Sequence, residues 1–193
     1  MDQFEYLSVL SSIVIGLGLT GILIGIGRLL KQRGEVTLYW VHSLQIATTF
    51  LFLINIWWVL FNWSQFEGLT FFHNLFLLAG PVSLFLASVL LFPNVGSGTT
   101  SLRNHYFENH RAYYVLLSLR FPLDILDTAL KGLERFDLLG RAYLPMILFG
   151  FVISIVAAIT RSPRYHAFVQ PALFIYFFVT VVLWKVNLGG GLL

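Results

Sequence analysis

The sequence predicts an all-α, polytopic transmembrane helical bundle of five or six spans. Three observations carry that reading. First, of 193 residues, 58% are hydrophobic and only 11% charged, whereas a soluble domain carries about 25% charged residues. Second, the apolar residues fall in runs long enough to cross a bilayer, which takes about 20 residues. Third, Trp40, Trp57, Trp58, Trp63 and Trp184 fall near the ends of those runs, as an interfacial aromatic belt would place them. Alternating strands of about ten residues, the mark of a membrane barrel, do not appear.

The apolar runs are 6–30, 38–61, 69–92, 142–160 and 167–184, within one helical domain over 1–193. The start, Met1-Asp2-Gln3-Phe4-Glu5, is acidic rather than basic, so it reads as a retained first span and not a signal peptide. Arg28, Lys31 and Arg33 follow the first span with only Glu35 against them. The positive-inside rule then places that loop in the cytoplasm and the N-terminus outside, in a cytoplasmic (inner) membrane.

Residues 94–101 read as a polar loop by their Gly, Ser and Thr content. After them the sequence predicts one long helix, 109–136. Its charges Arg120, Asp124, Asp127, Lys131, Glu134 and Arg135 recur at spacings of three and four, which gathers them into one stripe. Two topologies follow. Five spans with this helix on the membrane surface put every Lys and Arg inside except Arg161 and Arg164. Six spans, with 112–131 as the extra one, put Lys131, Arg135, Arg141 and Lys185 outside and Arg120 within the membrane. Insertion costs of about 2.5–3.5 kcal/mol per central Arg or Asp favour the first. The wide apolar circumference and the i,i+4 pairs Arg120/Asp124 and Asp127/Lys131 favour the second.

Gly18, Gly21 and Gly25 share roughly one face of the first span with Ser11 and Arg28, a pattern that lets helices approach closely in lipid. His42, Gln45 and Thr49 share a face of the second span and need polar partners or a wet cavity. His105-x-x-Glu108-x-His110 matches no strong zinc spacing and reads as solvated loop. Gly80-Pro81, Pro122, Pro145 and Gln170-Pro171 interrupt predicted helices and read as kinks.

Phe4-Glu5-Tyr6, the Gly-rich span with Arg28-x-x-Lys31, and the stretch from Tyr106-Phe107 to Arg120-x-x-x-Asp124-x-x-Asp127 resemble small bacterial inner-membrane proteins without an assigned activity. The resemblance implies the fold and location and no chemistry.

The chain has no cysteine, which removes thiolate catalysis, disulfides and Cys-based metal sites. No Gly-x-Ser-x-Gly, His-Glu-x-x-His, Walker or dinucleotide motif occurs, which argues against an enzyme. No basic run exists to follow a phosphate backbone, so nucleic acid is not an expected partner. No metal or cofactor is expected. The expected partners are the lipid bilayer and further copies of the chain. The leading expectation is an oligomeric channel-like or transporter-like protein. Arg120, Asp124, Asp127 and Lys131, with the His42/Gln45/Thr49 face, would line its polar path, and the two Asp would attract cations or relay protons. The alternative is a non-transporting scaffold or signalling subunit that docks a membrane or cytoplasmic partner through the stripe and residues 94–111. A lipid enzyme or quinone-binding subunit ranks third.

Overall fold

The computed structural model describes residues 3–66, 68–93 and 100–181. Helix α1 covers Gln3–Lys31, with Arg28 and Lys31 in its last turn, where cations meet the negative end of the helix dipole. Helices α2 (Trp40–Leu60) and α3 (Phe71–Val89) follow, joined through a 3-10 turn at Phe61–Trp63. Thr70 and His73 form a reciprocal capping box that starts α3. Three helical segments, Phe4–Lys31, Trp40–Trp63 and Phe71–Val89, are long and apolar enough to cross a membrane.

The expected single helix 109–136 is not what forms. Helix α4 begins earlier, at Leu102, and ends at Ser118. Leu119 breaks the run, and α5 covers Arg120–Leu130. The cause is Pro122, which has no N–H for the Ser118 carbonyl and whose ring crowds it. Gly132, at φ 122°, ends the next turn, and the short α6 covers Glu134–Leu139. Glu134 and Arg135 therefore leave the helix that carries Arg120–Asp127. Residues 102–108, ahead of the expected helix, are helical too, because Ser101 caps them and an aromatic face at Tyr106, Tyr113 and Tyr114 is buried.

Helix α7 (Tyr143–Ile159) carries Pro145 in its first turn, where its missing N–H costs no intrahelical bond, so it does not kink the helix. Helix α8 covers Pro163–Thr180. Trp184 and the end of the last apolar run lie outside the described residues. At 17 residues α7 is a shorter apolar helix.

Cross-helix contacts sort the loops into two ends. At one, Val36–Thr37 (β1) pairs in parallel with Thr100–Ser101 (β2). His42 Nε2–H donates to the Leu91 carbonyl at 2.7 Å, and His166 meets both Tyr106 and the Thr160 carbonyl. Arg28, Lys31, Arg33, Arg103, Arg161 and Arg164 cluster around these segments, and we call this the basic end. At the opposite end Trp63 meets His73 and Asp127, and Tyr143 meets Asp124.

The core is mainly apolar, yet it also holds polar side chains while large apolar ones face outward. His42, Gln45, Thr49, Ser154, His166 and Gln170 are buried, while Ile13, Phe72, Leu86, Leu148, Val152 and Ile175 are exposed. An apolar exterior with polar groups turned inward is what a lipid environment selects.

The glycine face of α1 is split. A Cβ at Gly25 would overlap the Phe92 ring, and one at Gly18 would meet Leu53 at 3.1 Å. These two pack with Ser11, Ile15 and Ile22 against α2 and α3. Gly21 does not belong to that face. A Cβ there meets nothing within 4 Å, because Gly21 is turned outward.

Candidate functional site: a charged cavity capped by an apolar layer

Helix α5 places its charged residues toward the bundle interior, near the end opposite the basic loops. Asp127 is held from two sides. Trp63 Nε1–H donates to Oδ1 and Lys131 Nζ donates to Oδ2, each at 2.7 Å. The Lys131 side chain is 2% exposed and its ammonium lies 5.1 Å from the Trp63 ring centroid. The expected Asp127/Lys131 i,i+4 pair is thus present, and a tryptophan from a distant segment completes it.

Asp124 faces α7. The Tyr143 hydroxyl lies 3.0 Å from the Asp124 carbonyl and 3.1 Å from its Oδ2. It also meets Thr128 Oγ1 at 2.8 Å. A phenol has one proton to give. Tyr143 donates it to Asp124, so Thr128 is the donor to Tyr143. The Arg120 guanidinium stacks on Phe52, with its central carbon 4.3 Å from the ring centroid.

These side chains surround two adjoining cavities of ≈ 60 and ≈ 100 Å³ that share Asn55, Val59, Arg120, Asp124 and Asp127 in their walls. The larger also meets Lys131, Arg135, Tyr143 and Tyr176. The Tyr176 hydroxyl is buried and has no hydrogen-bond partner.

His42, Gln45 and Thr49 are not in either wall. His42 closes the end of α3 through the Leu91 carbonyl, and His105 does the same for Leu90 at 3.0 Å. His105 and His110 are helical residues of α4, not loop, and His110 is 3% exposed. Thr49 donates to the Gln45 carbonyl and accepts from Tyr113, both at 2.8 Å.

A second polar system, which sequence reading did not single out, lies beside these. Gln170 Nε2 meets the Tyr114 hydroxyl at 2.7 Å, Tyr114 meets Tyr106 at 2.9 Å, and Tyr106 meets His166 Nδ1 at 2.8 Å. His166 Nε2 lies 2.9 Å from the Thr160 carbonyl. That carbonyl only accepts, so Nε2 carries the proton and neutral His166 has a bare Nδ1. Three links then need three protons, and two tyrosines supply two. The third comes from the Gln170 amide. Every bond in the chain therefore runs one way, from Gln170 to His166.

An apolar layer separates the two systems. Three helices repeat the same order along their length. On α2 it is Thr49, Phe52, Asn55. On α4–α5 it is Tyr114, then Leu117 and Phe121, then Asp124. On α8 it is Gln170, Leu173, Tyr176. Phe52, Leu117, Phe121 and Leu173 are each at most 1% exposed. Phe52 packs on Phe177 at 5.9 Å and Phe121 on Tyr176 at 5.8 Å. The Phe121 ring also fills the space a side chain at position 150 would take, which is why glycine is there.

The aromatic partners were missed because each comes from a different segment. One signal was present: Tyr106, in a stretch whose charges read as loop, stands at helical spacing from Tyr113, Tyr114 and Leu117.

The helical fold, with three segments long and apolar enough to cross a membrane, defines a helical membrane protein. Comparison of the chain with protein-family models, curated proteins and solved structures returns no match.

Proposed function

We propose that this chain is a small transporter-like protein of the cytoplasmic membrane that admits a polar solute to the cavity around Arg120, Asp124 and Asp127. The observation that carries this reading is the layering. A charged cavity meets buried apolar side chains at Phe52, Leu117, Phe121 and Leu173, with a second polar system beyond them. A hydrophobic constriction between two polar compartments blocks passage until the helices shift. Arg120, Asp124, Asp127 and Lys131 are half-buried around this cavity, and ionisable groups are costly within a membrane.

In this reading the chain crosses the bilayer six times, with α4 and α5 together forming one crossing. The basic end faces the cytoplasm by the positive-inside rule, so the N-terminus and the cavity face outward. Copies of the chain associate. The outward-facing Gly16 and Gly21 of α1 leave room for a neighbouring helix. Docking a partner through the charged stripe is less well supported, because Asp127 and Lys131 are engaged inside the bundle.

The test is flux. Purified protein in liposomes is expected to move a small solute under an imposed gradient, and Arg120→Gln is expected to reduce that movement. Parent protein that stays at the level of empty liposomes for small cations, anions and neutral solutes, in both gradient directions, would end the transport reading.

A further inference from the structure

We infer that the cavity binds a small planar oxyanion of charge −1, held by the Arg120 guanidinium and the Tyr176 hydroxyl. This rests on the cavity being the solute site proposed above, but it reverses the charge expected for that solute.

The lining decides the sign. Among the described residues in the walls, Arg120, Lys131 and Arg135 stand against Asp124 and Asp127, a surplus of one positive charge. The carboxylates are also the more committed groups. Asp127 has one oxygen on Trp63 and the other on Lys131, and Asp124 receives the Tyr143 proton. A cation entering here would have to displace those donors. An anion would instead offset the surplus charge, which is costly to leave uncompensated away from water.

The shape of the recognition follows from Arg120. Its central carbon lies 4.3 Å from the Phe52 ring centroid, the distance of a guanidinium resting on an aromatic ring. Stacking uses the face of a guanidinium and leaves its in-plane N–H fork, which matches two oxygens of a planar anion side by side. The Tyr176 hydroxyl supplies the second, independent observation. Tyr176 is only 4% exposed, its oxygen has no partner, and the residue forms part of the same wall. A buried phenol without a partner carries a desolvation cost that a bound acceptor removes.

Size narrows the class. The spaces of ≈ 100 and ≈ 60 Å³ open to the centre of a water-sized sphere hold several waters or one small ligand. Formate, acetate, nitrate and hydrogencarbonate fit that class, whereas a sugar acid or nucleotide would leave most of its length outside.

The experiment uses full-length protein in detergent and in nanodiscs, at constant ionic strength. Thermal unfolding and titration calorimetry are followed with sodium formate, acetate and nitrate, with chloride as a spherical anion and gluconate as one too large. The three planar anions are expected to raise the unfolding midpoint saturably, with chloride weaker and gluconate without effect. Arg120→Gln is expected to weaken binding about tenfold or more, as the loss of charge-assisted bonds implies. Arg120→Lys keeps the charge without the fork and is expected to fall between them. Tyr176→Phe, which deletes one oxygen, covers the case in which position 120 variants fail to fold, and is expected to weaken binding several-fold.

An equal response to all five anions overturns the inference, as does parent-like binding by both Arg120→Lys and Tyr176→Phe. Saturable binding of sodium or ammonium at fixed gluconate, without a response to the planar anions, overturns it and returns the site to cations. Oxyanion binding without flux leaves this inference standing while the transport reading falls. Cation flux without oxyanion binding does the opposite.

Discussion

Lys131 donates to Asp127 at 2.7 Å from a side chain only 2% exposed, one helical turn away. The pair forms part of the cavity wall and, with Trp63, occupies both oxygens of the carboxylate that the sequence offers to a passing cation.

Removing one partner of such a pair is expected to be severe. Asp127→Ala leaves the Lys131 charge buried and should cost about 3–5 kcal/mol. Asp127→Asn keeps an acceptor for Trp63 and should cost less. The double variant Asp127→Asn with Lys131→Met removes both charges and should recover part of the loss. Unfolding midpoints in detergent check the order, and equal midpoints for all three would place the pair in open solvent.

The two glycines separate cleanly. Gly25→Ala pushes a methyl into the Phe92 ring and should cost about 1–3 kcal/mol, the usual range for overpacking. Adding Phe92→Ala should relieve that clash. Gly21→Ala meets open space and should be neutral or stabilising by up to about 1 kcal/mol, since alanine favours helix. Gly21→Leu tests association. Mass measurement in detergent should show smaller assemblies with an intact fold, and an unchanged mass would exclude Gly21 from a contact between copies.

The apolar layer makes a prediction of opposite sign. Leu173→Asn places an amide between Phe52, Leu117 and Phe121 and should hydrate the layer. Liposomes with this variant should leak small ions faster than those with the parent. A well-folded variant with parent permeability would show that the layer is not the barrier.

In the tyrosine chain, Tyr106→Phe removes the hydroxyl that links Tyr114 to His166. Tyr114 loses its acceptor and His166 Nδ1 its donor, for a cost of about 1–3 kcal/mol. Tyr39→Phe, at a phenol outside this chain, is the control and should change stability by less. Unfolding midpoints compare the two.

Orientation can be read directly because the chain contains no cysteine. Gly34 is exposed with nothing within 4 Å of a Cβ. Gly34→Cys should resist an impermeant thiol reagent in intact cells and react after the cells are opened. Immediate labelling from outside would invert the topology.

The long helices were legible because burial in lipid writes itself into runs of apolar residues, and α1, α2 and α3 follow such runs closely. The spacing of Arg120, Asp124, Asp127 and Lys131 likewise announced a shared face. What composition could not give was the partner of each group. Trp63, Phe52, Tyr143 and Tyr176 come from four separate segments, and only tertiary packing brings them to α5. The break at Leu119 was written in Pro122, yet the apolar pattern runs through it undisturbed. Gly21 misled because a 3.6-residue period leaves it close to the Gly18 and Gly25 face without being on it. The charges of 103–108 masked the first turns of an amphipathic helix whose buried side is aromatic.

The short pairing of Val36–Thr37 with Thr100–Ser101 has a mechanical consequence. It fastens the turn after α1 to the start of α4 by backbone bonds, across the rim where the arginines gather. Among the described residues, the far rim is joined through side chains and carries no such backbone clasp. With that rim held by backbone bonds, a rigid tilt of α1 against α4 would have its least travel at the clasp and its greatest at the far rim, beside the cavity.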